Sequence, residues 1–504
     1  MLRWLVRLSA AAGAGIAAFL LGVALVTSTY PEPGPPLTVL PGRDFTAADA
    51  GEIGGLEGYT AMETRLLDSL RKRLVRPPAP PDRPVFDRYV QGSPSDPARF
   101  AWNWNRTRIE APPGSRGAVL LLHGLSDSPY SLRAVGERYR RLGFAAVWLR
   151  LPGHGTAPSA LRRVRWEDWA AAARLAADRV ASLAGEGPFH VVGYSNGGSL
   201  ALMLTLERLL GRGGRVPDQV VLLSPAVAIP AAARFTRWVR LIDWIPGLRR
   251  AAWQDIEPEV DPYKYGSFPF NASFQCWRGT RAVRRLLDRA ETEGRLAMMP
   301  PVLAFVSVVD ATVTAPAVQR ALLDRLPGPG NELVLFDVNR RAGVLRLLSP
   351  AAQERRGWNL EPEGAAYTLT LVTNRDPSTA AVVERLRSPD GAVRIRETGL
   401  AWPPGVYSLS HVAIPFPPDD PIYGDGTAPG SDRALPLGSL SLKGETRQLQ
   451  LPASLLGRLR YDPFFDVIAR RIAARAAAGS PSRAISRSPV EPSSITGTPG
   501  GASP

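Results

Sequence analysis

The chain has 504 residues, 45% of them apolar and 21% charged, with a formal net charge of +15. These values describe a globular protein with room for a large core and exclude a disordered chain. The single cysteine, Cys276, excludes an intramolecular disulfide and any cysteine-rich metal site. The positive charge is almost wholly arginine, since Lys72, Lys264 and Lys443 are the only lysines, and it is scattered along the chain. A nucleic-acid surface would show a clustered stripe, so no nucleic-acid partner is expected.

After Arg3 and Arg7 no charged residue occurs from Leu8 to Pro31. That run is about the ~20 residues a helix needs to cross a bilayer. Basic residues before it, and none after it until Arg43, keep the N-terminus in the cytoplasm. Residues 1–30 are therefore expected to be a transmembrane anchor or signal segment. The membrane is a partner through that helix, and the body is periplasmic or otherwise extracytoplasmic; secretion after signal cleavage is the rival. The proline-rich Pro31–Gly42 reads as an extended, unpacked spacer, and Glu63–Val75 as a short helix. Together residues 31–84 form a linker and short helix.

From residue 85 the pattern alternates. AVLLLHG, FAAVWL, HVVGYS and VVLLSPA are continuous apolar runs, separated by helical stretches at Leu132–Leu142, Trp166–Leu183 and Gly198–Leu206. Strands alternating with helices predict a doubly wound, mostly parallel sheet whose two faces are both covered. Residues 85–229 form the first part of this core. The arginine- and aromatic-rich 230–299 is expected to be a mainly helical cap over the sheet's C-terminal edge. PVLAFVSVVD and ELVLFDV resume the sheet across 300–338. Residues 339–402 read as an insertion, with strand-like YTLTLVTN and AVRIRE around a helix-like TAAVVERL. Residues 403–478 return to the core, and 479–504 form a low-complexity tail, disordered on composition.

The stretch FHVVGYSNGGSL places Ser195 on a sharp turn between a strand and a helix. This is the G-x-S-x-G pattern, in which a strained turn lifts one hydroxyl above the sheet. A serine needs a base to become a nucleophile. Of the four histidines, only His411 lies downstream of Ser195. His123 ends a strand, His154 sits in the PGHG loop, and His190 faces the sheet. His411 is therefore the candidate base. The orienting acid belongs at the end of a late strand, and Asp310 meets that requirement; Asp337, read as embedded in its strand, is the rival. Backbone N–H groups of Asn196, at a helix start, and of Leu125, after the strand ending at His123-Gly124, are the candidate oxyanion donors.

VLLLHGLSDSPYSLR, RLPGHGTAP and VVGYSNGG, in this order and spacing, resemble the α/β-hydrolase superfamily. Within it they are similar to the branch of monoacylglycerol lipases, lysophospholipases and bacterial carboxylesterases. The resemblance covers about Gly117 to Leu335. It implies a Ser195, Asp310, His411 triad, an oxyanion hole from Leu125 and Asn196, carboxylic ester substrates of small or lipid-like kind, no metal and no organic cofactor. One departure stands out. That branch carries its histidine soon after the acid, where this chain reads FDVNRRAGVL, and His411 comes only after the 339–402 insertion. Two other readings stay open: an acyltransferase using the same acyl-enzyme, and a non-catalytic membrane-tethered homologue. Oligomeric state is not legible.

Overall fold

Six-residue runs such as Gly117–Leu122 and Phe144–Leu149 are buried at every position, as parallel strands covered on both faces must be. The computed structural model describes residues 2–28, 33–83, 85–228, 249–310, 312–341, 343, 365–428, 437 and 459–478. Twelve strands occur among them: β1 (Arg108–Glu110), β2 (Gly117–Leu122), β3 (Phe144–Leu149), β4 (Phe189–Tyr194), β5 (Gln219–Leu223), β6 (Trp253–Asp255), β7 (Phe268–Pro269), β8 (Val302–Ser307), β9 (Glu332–Phe336), β10 (Thr368–Asn374), β11 (Ala381–Arg387) and β12 (Val393–Ala401). Ten of them make one sheet in the order β1-β3-β2-β4-β5-β8-β9-β10-β11-β12. Strands β3 through β10 in that order are parallel, while β1, β11 and β12 pair antiparallel with their neighbours.

The helices are α1 (Leu2–Ser28), α2 (Pro35–Thr38), α3 (Gly55–Leu74), α4 (Arg133–Arg141), α5 (Trp166–Ala184), α6 (Asn196–Leu209), α7 (Phe270–Thr292), α8 (Ala315–Ala321) and α9 (Phe465–Ala477). Strand residues alternate between two apolar cores. Ala118, Leu120 and Leu122 join residues of α3, α5, α6 and α7 on one face. Val119 and Leu121 join residues of α4 and α9 on the other. The expected doubly wound sheet is present.

Several expectations are corrected. Of the 230–299 segment expected to form a cap, residues 230–248 lie outside the described residues, and the part that follows is only partly helical. Trp253–Asp255 and Phe268–Pro269 form a short hairpin. Helix α7 packs against α6 and α5, because Ala272, Cys276, Val283, Leu287 and Ala290 recur at helical spacing and enter the core on that side. The helix-like TAAVVERL is instead strand β11, paired with β10 on one side and β12 on the other. The β-branched Val382 and Val383 fit that pleated site. The 339–402 insertion thus extends the main sheet by three strands. It is tied down by Glu384, fully buried, whose carboxylate takes hydrogen bonds from Arg471 of α9.

Nor is Pro31–Gly42 an unpacked spacer, and residues beyond it pack on the body as well. Leu37 packs on Ala252 and Trp253, and Phe45, Leu56, Tyr59 and Met62 join the main core. Arg150, 1% exposed, is clasped by Asp44 at 2.7 Å and Glu63 at 3.1 Å. Burial alone pushes the Asp44 carboxyl up, but Arg150 beside it prevails and holds it below the ordinary range. Helix α3 begins at Gly55, eight residues before the expected start. At the N-terminus, α1 forms the expected helix, with Trp4, Ile16, Phe19, Leu21 and Leu25 exposed. Among the described residues, however, no helix is long and apolar enough to cross a membrane. The 479–504 tail lies outside the described residues.

Candidate active site

The glycines around Ser195 are required by close approach. A methyl on Gly197 would stand 2.5 Å from the carbonyl carbon of Leu122 and 2.7 Å from the His123 oxygen. One on Gly193 would meet the Gly197 carbonyl carbon and Gly198 Cα at 2.6 Å, and one on Gly198 would meet Pro225 Cβ at 2.7 Å. With those side chains absent, β4 turns into α6 within one residue. Ser195 takes φ 51° and ψ −115°, a conformation that costs a non-glycine residue ~1–3 kcal/mol. Its backbone is fixed to the end of β5: its N–H donates to the Leu223 oxygen at 2.9 Å, and its oxygen accepts from Ala226 N–H at 3.0 Å.

Because β2 runs beside β4, with Leu122 opposite Gly193, the loop after β2 lies next to this turn. Gly124 to Asp127 form a tight turn, closed by the Asp127 N–H donating to the Gly124 oxygen at 3.3 Å. Ser126 sits at its third position with φ 65°, where a type II turn needs a positive φ. Leu125 precedes it, half-buried. The Asn196 N–H opens α6, where first-turn amides lack intrahelical partners. The two candidate donors thus come from adjacent elements, the loop after β2 and the start of α6.

Three histidines are committed elsewhere. The Leu151 N–H donates to His123 Nε2 at 3.0 Å, so the proton sits on Nδ1 and is donated to the Gly124 oxygen at 2.8 Å. Burial, reinforced by neighbouring His154, holds that imidazole well below its ordinary pKa. His123 is a neutral clip between two loops. His154 is fully buried, its Nδ1 at 3.0 Å from the Pro152 oxygen, and burial lowers it to about 4. His190 lies under Tyr139, whose hydroxyl is 3.1 Å from Nδ1, and burial lowers it also to about 4.

His411 differs: its side chain is 20% exposed, and its Nδ1 stands 3.8 Å from Asp310 Oδ1. Asp310 lies three residues beyond β8, and its Oδ1 accepts the N–H groups of Thr312 and Val313 at 2.9 and 2.8 Å. The rival Asp337 is consumed. It directly follows β9 and does not lie within it; its carboxylate pairs with Arg340 and accepts the Thr373 hydroxyl at 2.7 Å.

How His411 reaches Asp310 was not visible in the sequence. Asn339 lies within FDVNRRAGVL, the stretch where a closer histidine would be expected. Its N–H donates to the Tyr407 oxygen at 2.6 Å and its Nδ2 to the Val406 oxygen at 3.0 Å. The Ser307 hydroxyl at the end of β8 donates to the Leu409 oxygen at 2.7 Å. These bonds lay the returning chain across the ends of β8 and β9. Also missed was the contact of Lys264 with the Ser126-Asp127 turn; neither feature has a local sequence signal.

A parallel sheet with a glycine-walled serine turn above its C-terminal edge defines an α/β hydrolase. Residues 113–338 match the family model described as Hydrolase_4, serine aminopeptidase S33. The chain has the α/β-hydrolase fold, and over these residues it is similar to the monoacylglycerol lipase branch. It is 29% identical over 199 residues to a thermostable monoacylglycerol lipase of Bacillus sp. strain H-257, covering 39% of this chain and 71% of that one. It is also 29% identical over 254 residues to lipase LipV of Mycobacterium tuberculosis, covering 45% and 87%. A solved monoacylglycerol lipase of Paleococcus ferrophilus aligns at 20% identity and a TM-score of 0.34 over 46% of this chain and 88% of that one. The family match includes Ser195 and Asp310 and stops short of His411.

Proposed function

We propose that Ser195, His411 and Asp310 form a triad that cleaves carboxylic esters through an acyl-enzyme. The chain is a carboxylic ester hydrolase, in keeping with its lipase relatives. The observation that carries the triad is the contact between Asp310 and the one histidine not locked in the interior. His411 takes the Ser195 proton as the hydroxyl attacks the ester carbonyl. The oxyanion gathers on the N–H groups of Leu125 and Asn196. His411 then protonates the leaving alcohol and activates the water that releases the acid. Asp310 holds the imidazole tautomer and stabilises its charged form.

The substrate class proposed is lipid-like, a monoacylglycerol or lysophospholipid or a simple carboxylic ester. The names of the relatives support it. Membrane attachment through α1, with the body outside the cytoplasm, is supported by the exposed apolar side chains of that helix and the uncharged run after Arg7. A fluorophosphonate probe is expected to label the wild type and to fail on Ser195→Ala and His411→Ala. Equal labelling of all three proteins removes the proposal.

A further inference from the structure

The loop that carries Leu125 is held from outside the core. Lys264, in the segment between the β6–β7 strands, reaches it with Nζ 2.6 Å from Asp127 Oδ1 and 3.1 Å from Ser126 Oγ. The next residue, Tyr265, donates its N–H to the Ser126 oxygen at 2.9 Å. Ser126, at φ 65°, occupies a position that glycine fills without strain and serine does not. Three contacts from two consecutive residues thus converge on the strained turn.

The clamp is itself rooted. Asp261 Oδ1 accepts the N–H groups of Tyr263 and Lys264 at 2.9 and 3.0 Å and the Tyr423 hydroxyl at 2.6 Å. Its Oδ2 accepts from Arg460 at 3.0 Å. The lysine is therefore presented by a braced loop, and its side chain remains 25% exposed. The Asp127 carboxylate it faces crowds Gly124, where an added methyl would meet Oδ2 at 2.5 Å. Asp127 thus abuts the residue that precedes Leu125.

We propose that Lys264 is a positioning residue: by clamping Ser126 in its left-handed conformation and pairing with Asp127, it aims the Leu125 N–H at the developing oxyanion. This rests on the triad reading above. A donor displaced by about an ångström acts only weakly in the transition state, and loss of one such donor costs ~10²–10³ in turnover.

The test is steady-state kinetics with a short-chain p-nitrophenyl ester on the full chain, together with thermal unfolding. Lys264→Met is expected to lower kcat by ~10- to 100-fold with KM within about twofold, because the donor acts on the oxyanion and not on the bound ester. Ser126→Gly removes the strain the clamp opposes, so the double variant Ser126→Gly/Lys264→Met is expected to recover at least about half of the lost activation free energy. Lys264→Arg, which keeps the charge, is expected to stay within about tenfold of wild type.

Lys264→Met with unchanged kcat overturns the inference. So does a loss that Ser126→Gly leaves untouched, or one that merely tracks the folded fraction. If Lys264→Met does not fold, Lys264→Arg and Ser126→Gly/Lys264→Met carry the test, and a double variant that folds with the full loss is refutation. Failure of the triad reading shows separately, as equal fluorophosphonate labelling of wild type and Ser195→Ala.

Discussion

Replacing Gly197 by alanine tests the geometry of the turn most sharply. The added methyl would stand 2.5 Å from the Leu122 carbonyl carbon and 2.7 Å from the His123 oxygen. Carbon atoms rest at about 3.5–4.0 Å, so the end of β2 and the start of α6 must part by about 1 Å. Both obstacles are backbone, and β2 is locked between β3 and β4, so no side chain can rotate out of the way. The displaced strand end leads in three residues to Leu125, and the displaced helix carries Asn196 and follows Ser195. A shift of that size in catalytic geometry costs ~10²-fold in rate, and overpacking costs about 1–3 kcal/mol in stability.

Gly279→Ala is the control. It lies in α7, where the nearest atom to an added methyl is Trp166 Cβ at 3.9 Å. Alanine there is expected to leave kcat unchanged and to raise stability by about 0.5–1 kcal/mol. Turnover of a p-nitrophenyl ester and the urea midpoint report both quantities. Gly197→Ala with kcat within twofold of wild type would refute the claim that backbone crowding fixes the turn.

The two late aspartates are separable by kinetics: Asp310→Asn is expected to lower kcat by ~10⁴ with little change in folding. Asp337→Asn, which weakens the pair with Arg340, is expected to lower stability and leave kcat of the folded protein nearly intact; the reverse pattern, read from kcat and urea titrations, would exchange their roles. The buried histidines predict acid sensitivity. His190 is lowered to about 4 in the folded chain against about 6.5 when unfolded, so the unfolded chain binds more protons between those values, and stability rises with pH across that window and is lost as pH falls through it. His190→Gln is expected to shrink the stability difference between pH 6.5 and pH 5 by about 1.5 kcal/mol, measured by urea unfolding; an unchanged difference would show that His190 is not held neutral.

The sheet was legible because its strands are continuous apolar runs with both faces covered, a pattern local sequence expresses directly. The sharp turn at Ser195 was legible through its glycines, and the approach of His411 to Asp310 through chain order and the scarcity of histidines. What escaped was set by distant partners. Residues 381–387 look helical in isolation, and only pairing with β10 and β12 makes them a strand. Pro31–Gly42 read as a spacer, and the helix after it as shorter than it is, because the partners of this segment, such as Trp253 for Leu37 and Arg150 for Asp44 and Glu63, meet it only in three dimensions. The Lys264 clamp and the Asn339 tether escaped for the same reason, since both join residues far apart in sequence that no local pattern relates.

The span between Asp310 and His411 has a consequence for how the protein comes into being. A chain emerging from the ribosome N-terminus first exposes the serine turn and the Asp310 carboxylate while the His411 imidazole is still unsynthesised, and the four sheet strands β9 to β12 must be added in between. Contacts of such long sequence separation form late in folding. On the triad proposed above, hydrolytic competence is a late acquisition of the nascent polypeptide, and a product of premature termination before residue 411 is expected to carry an inert serine.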